Sequence, residues 1–350
     1  MNPKISIIIL NYNAGDLLLD CVKSVLDTNY DNMEIIVVDN ASTDNSHRAC
    51  KEKYDIINLI ENDKNLGYCE GNNVGLLRAT GEFVAILNPD TIVDQQWLKE
   101  LLSSYNKFGE GLYQPKLLSA SNHQIFNSTG NMIQLFGFGY SRGKGDIDKG
   151  QFDKDEIVTY SSGACLFTSL ETIKKIGLFD PFLFAYHDDL DLGWRALLLG
   201  IKSFYIPKSI VYHAESFSFK WSPYKFFLLE RNRHYCLWTH YSKTTFYKML
   251  PMLFLVEIGI FFFFLSKGLI VPKIRAYLDI IKNRKQISKR YTELQNTRKI
   301  DDKEIIHYFQ NEIFVPKEVS AKFTNKLFNN FITILSKSAR SSIAKNHEDL

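Results

Sequence analysis

Up to residue 90, the chain alternates between short apolar runs and longer segments in which apolar residues recur at helical spacing. The runs are rich in Ile and Val, as buried parallel strands are, and they lie at residues 5–10, 35–38, 56–60 and 83–87. The segments between them predict helices at 17–26 and 67–79, and a further helix that Ser42 would cap. This order of elements predicts an α/β fold with a mostly parallel sheet and helices on both faces.

The pattern changes after residue 109. Glycines among charged residues predict a mobile loop over 137–156. Ordered elements resume later, as strands or helices at 161–167, 188–199, 203–206 and 210–212. The last third of the chain is helical and aromatic, and it contains an apolar stretch at 249–266. We therefore expect two domains, an α/β domain over 1–240 and a C-terminal helical region over 241–350.

Charge is unevenly distributed along the chain. The 42 Lys and Arg residues nearly balance the 39 Asp and Glu residues, which argues against nucleic-acid binding. Residues 273–299 are the exception, because nine basic and two acidic side chains give them a net charge of +7. An apolar helix followed by a basic segment suits attachment to the inner surface of a membrane, with the cations facing anionic lipid.

The apolar stretch itself allows more than one interpretation. It holds 18 residues including Glu257, which is marginal for a span that needs about 20 apolar residues. A helix lying in the cytoplasmic interface is the main prediction. A helix packed on the α/β domain or in a dimer interface is the alternative.

Cysteine usage and the N-terminus bear on location. The cysteines are odd in number, widely spaced and without a C-x-x-C pair; they are Cys21, Cys50, Cys69, Cys165 and Cys236. This pattern argues against a disulfide scaffold or a thiolate zinc site and fits a reducing compartment. The N-terminal residues lack the long apolar stretch of a signal peptide. We expect a cytoplasmic protein, peripheral on the inner face of the cell membrane.

Acidic residues fall where two predicted strands end. Asp39 follows the second apolar run, and Asp90 follows the fourth in the sequence Leu87-Asn88-Pro89-Asp90. The carboxyl ends of parallel strands line the ligand crevice of an open sheet, so both carboxylates should share one site. Either one alone could instead be a helix cap or a turn former.

The segment between these two residues is rich in glycine. Gly67, Gly71 and Gly75 fall on one face of the predicted helix, which permits close approach of a strand or a ligand. The spacing is not the G-x-G-x-x-G of dinucleotide-binding folds, and the chain contains no P-loop sequence. Dehydrogenase and P-loop ATPase functions lose their main support.

A denser acidic cluster begins the helix predicted at 188–199. Asp191 and Arg195 can form an i, i+4 ion pair, so Asp191 is assigned a structural role. Asp188 and Asp189 are adjacent, and two like charges at that distance raise one pKa, which suits a general base. His213 closes a later strand, and with Asp90 it makes a plausible N/O metal set; a structural histidine is the alternative.

Together these motifs resemble the family 2 glycosyltransferases of the GT-A fold, over residues 5 to about 240. The matching pieces occur in the family's order, and they are Ile7–Asn13, Val38–Asp44, Asn65–Gly67 with Gly71–Gly75, Leu87–Asp90, Ser162–Cys165, Phe179–Pro181, Asp188–Asp191 and His213. The Asn-Pro-Asp sequence and the loop from Arg142 to Asp153 are similar to those of rhamnosyltransferase-type enzymes of surface-polysaccharide assembly.

The resemblance implies a role for each matching residue. It places Asp39 on the nucleotide base and Asp90 with His213 on Mg²⁺ or Mn²⁺ at the diphosphate. It makes Asp189 the base that deprotonates the acceptor hydroxyl, beside Asp188, which stands where the family usually has Glu. The expected nucleotide-sugar-binding residues are Asn11, Asn13, Asp39, Asn40, Asn65, Gly67, Asn73 and Asn88. Asn88 replaces the first carboxylate of the family's D-x-D motif, which lowers the expected metal affinity.

The implied function is inverting transfer of a sugar from a nucleotide-diphosphate sugar, such as dTDP-rhamnose or a UDP-sugar, to a glycan or lipid-linked acceptor. A cation would stabilise the diphosphate that leaves. A metal-dependent phosphohydrolase could use the same residues, although Asp39 would then have no role. A non-catalytic sugar-binding module is the third interpretation.

Overall fold

The computed structural model describes residues 2–215, 222–313 and 322–344. Its strands are β1 Ile5–Asn11, β2 Met33–Asp39, β3 Asn58–Glu61, β4 Phe83–Leu87, β5 Thr91–Val93, β6 Gly111–Ser119, β7 Asn122–Ser128, β8 Asn131–Ile133, β9 Gly139–Ser141, β10 Glu156–Val158, β11 Cys165–Ser169 and β12 Lys202–His213. Its α-helices are α1 Asp16–Leu26, α2 Ser46–Lys53, α3 Gly67–Arg78, α4 Trp97–Phe108, α5 Leu170–Ile176, α6 Asp188–Leu198, α7 Pro223–His240, α8 Lys243–Ser266, α9 Ile270–Lys282, α10 Arg284–Thr297, α11 Asp302–Ile305 and α12 Lys322–Ala344.

The chain divides into two compact units. We call the first the sheet unit; it comprises Met1–Asn131, Ser141–Ala196 and Ile201–Ser218. The second, the helical unit, comprises Met132–Tyr140, Leu197–Gly200 and Phe219–Leu350. Helix α7 therefore belongs to the helical unit, although the sequence interpretation placed it before the boundary near residue 240.

A mixed sheet forms the centre of the sheet unit, in the order β10-β12-β6-β11-β4-β1-β2-β3. The half built from β4, β1, β2 and β3 is parallel, as the sequence predicts. On the other side β11 runs antiparallel to both β4 and β6, while β6 and β12 are parallel to each other. The predicted fold class, an α/β protein with a helix-flanked central sheet, is confirmed.

Strand β6 shows why part of the sheet was not predicted. Most of its residues are buried, yet Pro115 and Lys116 interrupt the apolar pattern. Lys116 is accommodated because its Nζ donates to Asp148 at 2.9 Å and to Asp153 at 2.7 Å. The loop predicted over 137–156 is thus tied to the sheet by ion pairs. Similarly, β12 is one strand with a register shift between Ile206 and Ile210, not two strands.

Helix α2 begins later than predicted. It starts at Ser46, after Asn45 in the left-handed region at φ 58°. The prediction that Ser42 caps this helix is wrong, because its hydroxyl donates to Asp39 at 2.6 Å instead. A turn with its own hydrogen bonds therefore occupies the chain between β2 and α2.

The glycine face of α3 packs closely on β1 and β2, as its spacing predicts. A Cβ atom on Gly71 would lie 2.5 Å from Leu10, and one on Gly75 would lie 2.5 Å from Ile8 and 3.1 Å from Val38. At Gly67, where φ is +75°, a Cβ would lie 2.5 Å from Phe184. Only glycine lets the helix approach the sheet this closely.

We predict that Gly75→Ala destabilises the fold by about 1–3 kcal/mol, because the added methyl overpacks the contact between helix and strand. In denaturant unfolding, this loss of stability should appear as a lower midpoint concentration. The matched control is Gly259→Ala in α8, where a Cβ would lie at an ordinary contact distance of 3.5 Å from the Phe331 ring, and helix propensity favours Ala. Equal effects of the two substitutions would contradict the packing explanation.

A buried ionic cluster joins three helices of the helical unit. Helix α7 contributes Glu230, Arg233 and His234, α8 contributes Glu257, and α9 contributes Lys273 and Tyr277. Arg233 Nη2 lies 3.0 Å from Glu230, and Lys273 Nζ lies 2.7 Å from Glu257. Burial alone would raise the carboxyl pKa values, but the two cations hold the pKa of Glu257 far below its ordinary range. The cluster fixes α8 laterally against α7 and α9.

Helix α8 is longer than the apolar stretch predicts. It runs for 24 residues, includes Pro251, and has an apolar window of which a third is buried. By length and composition alone it is the one helix among the described residues that could cross a membrane.

Candidate active site

The carboxyl ends of β1 and β2 bring Asn11 and Asp39 together. These residues are register partners in the parallel pair, and Asn11 Nδ2 donates to Asp39 Oδ1 at 2.7 Å. Both side chains are buried. The pairing therefore holds a carboxylate at the edge of the sheet where strand-end ligand sites lie.

The oxygen atoms of Asp39 are largely occupied by protein donors. Oδ1 also accepts the Ser42 hydroxyl at 2.6 Å, and Oδ2 accepts the Ser42 backbone N–H at 2.9 Å. His47 lies with Nδ1 3.3 Å from Oδ1, and its Nε2 is 3.0 Å from Glu61. His47 is a residue that the sequence interpretation missed, because nothing in its neighbourhood marks it.

The other predicted nucleotide-binding residues build the turns around Asp39. Asn13 accepts the Thr43 N–H at 2.7 Å, and Asn40 donates to the Gly67 carbonyl at 2.9 Å. Asn65 accepts the Gly67 N–H at 2.8 Å. The two bonds to Gly67 fix the entrance of α3 beside β2, so Asn40, Asn65 and Gly67 form one connected group.

Asn73 has a different environment. Its amide donates to the Phe179 carbonyl at 2.8 Å and accepts the Phe179 N–H at 3.0 Å. A third contact joins it to Glu70 at 3.2 Å. These bonds anchor the turn before Asp180 to α3, and its role as a nucleotide ligand stays a prediction.

The segment after β4 places Asp90 next to His213. Asp90 Oδ1 lies 3.3 Å from His213 Nε2, at the end of β12 where β5 pairs with it. Asp90 is buried and His213 is half-buried. Asn88, two residues earlier, is half-buried and donates its backbone N–H to Ala164 at 3.0 Å.

Asn127 orients the His213 ring. Its Nδ1 is 3.1 Å from Oδ1 of Asn127, while the Asn127 side chain also bonds to Glu215. The amide oxygen of Asn127 can only accept, so this contact fits the tautomer with the hydrogen on Nδ1, which leaves Nε2 facing the Asp90 carboxylate. Two acceptors facing each other fit a shared cation, as in metal sites whose histidine is oriented by an outer partner. Asn127 was not predicted.

The acidic pair lies at the start of α6. Asp189 accepts the Gly163 N–H at 3.1 Å and the Leu190 N–H at 2.8 Å. Three non-glycine residues just before it, Phe184, Tyr186 and His187, have φ values of 60–65°. Positive φ in such residues is strained, and strain of this kind concentrates at functional sites.

Burial changes the proton affinity of both acids. It raises the pKa of Asp189 to about 6, although backbone N–H groups favour the charged form. Burial and then the charge of Asp189 raise the pKa of Asp188 well above its ordinary value. Asp191 has a different environment, since it is fully buried and lies 2.7 Å from Arg195. The predicted structural pair is confirmed.

Hydrogen bonds connect the acidic pair to the other candidate residues. Asn88 bonds to Ala164, whose neighbour Gly163 bonds to Asp189. The Tyr68 hydroxyl donates to the Gly163 carbonyl at 2.6 Å, and the Tyr68 N–H donates to Phe184 at 2.7 Å. The loop before β11 therefore links the strand-end segment of Asn88 and Asp90 to the acidic pair. Tyr68 is a third residue that sequence reasoning missed.

Comparison with known structures identifies the fold. The structure resembles GalNAc-T7 crystallised with UDP, GalNAc and Mn²⁺ (TM-score 0.57, 16% identity, covering 72% of this chain and 51% of that one). It also resembles the mannosyltransferase PcManGT of Pyrobaculum calidifontis in complex with GDP-Man and Mn²⁺ (TM-score 0.52, 14% identity, covering 99% and 89%). The fold is that of the GT-A glycosyltransferases.

The sequence matches one family over just under half of its length. Residues 6–176 match the family model "Glycosyl transferase family 2". Glycosyltransferase GlyG of Streptococcus pneumoniae serotype 4 is 33% identical over 104 residues, which are 29% of this chain and 35% of that protein. The low-salt glycan biosynthesis hexosyltransferase Agl10 of Haloferax volcanii is 25% identical over 200 residues, 56% of this chain and 62% of that protein. The chain is similar to glycosyl transferase family 2 over residues 6–176, and it spans about one third to two thirds of these relatives.

Proposed function

We propose that the protein is a metal-dependent, inverting glycosyltransferase. It moves a sugar from a nucleoside diphosphate to a hydroxyl of a glycan or lipid-linked acceptor, in the synthesis of a cell-surface polysaccharide or a glycoprotein glycan. The observation that carries the proposal is Asp189, a half-buried carboxylate with a raised pKa, linked through Gly163 to the segment that bears Asp90. A base and a cation site are the two parts that this reaction needs.

The metal would be held by Asp90 and His213, because a carboxylate oxygen of Asp90 and Nε2 of His213 face each other at 3.3 Å. A bound Mg²⁺ or Mn²⁺ supplies electrostatic stabilisation of the departing diphosphate. The chain's own contribution is to orient both ligands, through Asn127 on His213 and through the turn that buries Asp90. The Mn²⁺ present with the two structural neighbours supports a divalent ion.

Asp189 would remove the proton of the acceptor hydroxyl as that oxygen attacks the anomeric carbon. The new C–O bond forms on the face opposite the sugar–phosphate bond, which breaks, so the configuration inverts. A carboxylate with a pKa near 6 is ionised at neutral pH and is still basic enough to take part in proton transfer. Gly163 and Leu190 hold the carboxylate in place.

The bonds of Asp39 support a donor with uracil or thymine as its base. A carboxylate has about four acceptor positions, and three protein donors occupy them at 2.9 Å or less: Asn11, the Ser42 hydroxyl and the Ser42 N–H. One position remains, on Oδ2. Uracil and thymine present a single ring N–H, whereas guanine presents adjacent N–H groups that need two acceptors, and cytosine presents an acceptor that a carboxylate repels.

A rhamnosyl donor and a lipid-linked acceptor remain parts of the proposal. The Asn88-Pro89-Asp90 sequence and the loop from Arg142 to Asp153 support the rhamnosyl donor, because they resemble those of rhamnosyltransferase-type enzymes. Exposed apolar helices in the helical unit support the second, together with a location on the cytoplasmic face of the membrane.

The central experiment incubates purified full-length protein with a panel of nucleotide sugars, with and without acceptor glycans or lipids. We expect nucleoside diphosphate to be released from UDP- or dTDP-sugars in the presence of acceptor, and much less from GDP-sugars. Mass spectrometry of the acceptor should show one added sugar. Free sugar released at the same rate without any acceptor would instead indicate a hydrolase.

The base assignment predicts that Asp189→Asn lowers turnover by about two to four orders of magnitude while donor binding persists. In the unaltered enzyme, turnover should fall as the pH drops through about 6, because protonated Asp189 cannot accept a proton. Asp188→Asn is the matched control and should retain most activity. The assignment is reversed if Asp188→Asn is inactive and Asp189→Asn is nearly normal.

The metal assignment predicts that EDTA abolishes transfer and that Mg²⁺ or Mn²⁺ restores it. Asp90→Ala should lose activity with its circular dichroism unchanged, and calorimetry should show weaker Mn²⁺ binding. Asp20→Asn, a change at an exposed acid on α1, is the control and should leave activity and Mn²⁺ binding unchanged. Full activity in EDTA would contradict the metal assignment and reduce the role of Asp90 to forming a turn.

A further inference from the structure

Helix α9 exposes its apolar face. Val271, Ile274, Leu278 and Ile281 follow each other at intervals of three and four residues, and each is 45–59% exposed. The opposite side of the helix carries the buried Lys273. A helix of a water-soluble domain normally has the reverse arrangement, with its apolar stripe inward.

Helices α8 and α12 extend this apolar surface. The exposed large residues of α8 are Tyr247, Leu250, Phe254, Leu255, Ile258, Phe261, Phe262 and Leu265. Those of α12 are Leu327, Phe331 and Ile334, and the Phe331 ring lies against Gly259 of α8. So many exposed large apolar side chains on adjoining helices mark an interaction surface.

The ionic cluster on the other side of α8 determines how this helix can meet a membrane. Glu257 lies within the helix and bonds to Lys273 and Tyr277 of α9 and to Arg233 of α7. If α8 crossed a bilayer, Glu257 would enter the hydrocarbon or lose these partners, and both are costly. If α8 lies flat, the cluster stays inside the protein and only the apolar side meets lipid.

Cations border the apolar surface. The exposed basic residues at the ends of α8 and α9 and on α10 are Lys267, Lys282, Arg284, Lys285 and Lys289. Anionic lipid headgroups provide the opposite charge, whereas a second copy of this chain would bring the same cations against each other. Charge complementarity therefore favours a bilayer over self-association.

We propose that the exposed faces of α8, α9 and α12 form one surface that lies in the interface of an anionic bilayer, with α8 parallel to the membrane plane. This inference extends the peripheral location in the proposed function. Its tests measure lipid binding and depth without sugar transfer, so each proposal can fail separately.

The first test measures co-sedimentation of the full chain with vesicles of phosphatidylcholine containing about 30 mol% phosphatidylglycerol. Ile274→Ser with Leu278→Ser should weaken binding by about tenfold or more, since apolar burial is lost. Ile56→Ser with Leu77→Ser, at even more exposed sites in the sheet unit, is the control and should bind normally. Charge reversal of Lys282, Arg284 and Lys285 should make binding weaker and less dependent on salt.

The second test distinguishes a flat helix from a span. The cysteines that the structure describes lie outside any disulfide and are buried, so a fluorophore can be attached at single cysteines introduced at Tyr247, Phe254 and Leu265. Quenching by lipids brominated at different depths should place the three labels at similar shallow depths. A deep label at Phe254 between two shallow ones would show a span and overturn the proposal. The proposal would also be overturned if the full chain did not bind the vesicles. A dimer that forms without lipid, and that Ile274→Ser with Leu278→Ser dissociates, would overturn it as well.

Discussion

The parallel register between β1 and β2 is the constraint on which the candidate site depends. It sets Asn11 opposite Asp39, so that an amide and a carboxylate meet at the carboxyl end of the sheet. A slip of one residue would turn the carboxylate toward the other face. The glycine face of α3 then brings Asn65 and Gly67 to the same edge, since Gly71 and Gly75 let the helix lie directly on β1.

The acidic pair on α6 costs the fold stability. Phe184, Tyr186 and His187 adopt positive φ values, and two adjacent carboxyl groups are held in a poorly solvated environment. Between the ordinary pKa of an aspartate and the value of about 6 for Asp189, the folded state binds more protons than the unfolded chain. Stability therefore decreases as the pH rises through this range. Features that oppose folding in this way are expected where chemistry requires them.

Much of the fold follows from local pattern, and the rest from long-range contacts. The runs that became β1, β2 and β4 are continuous and apolar, and polar residues at their ends pointed to Asp39 and Asp90. Strand β6 was not predicted because Lys116 becomes compatible with burial only through Asp148 and Asp153, more than thirty residues away. Asn127 and Tyr68 act through partners distant in sequence, His213 and Gly163, and composition cannot reveal such pairings.

The cluster of Glu230, Arg233, Glu257 and Lys273 restricts how the helical unit can change in evolution. Removing one member leaves another charge buried without its counter-ion, which costs about 3–5 kcal/mol, whereas exchanging a pair for apolar residues of similar volume can be neutral. Substitutions on α7, α8 and α9 are therefore expected to occur together. Relatives should keep the whole set or replace it in matched pairs, so that these positions covary across three successive helices.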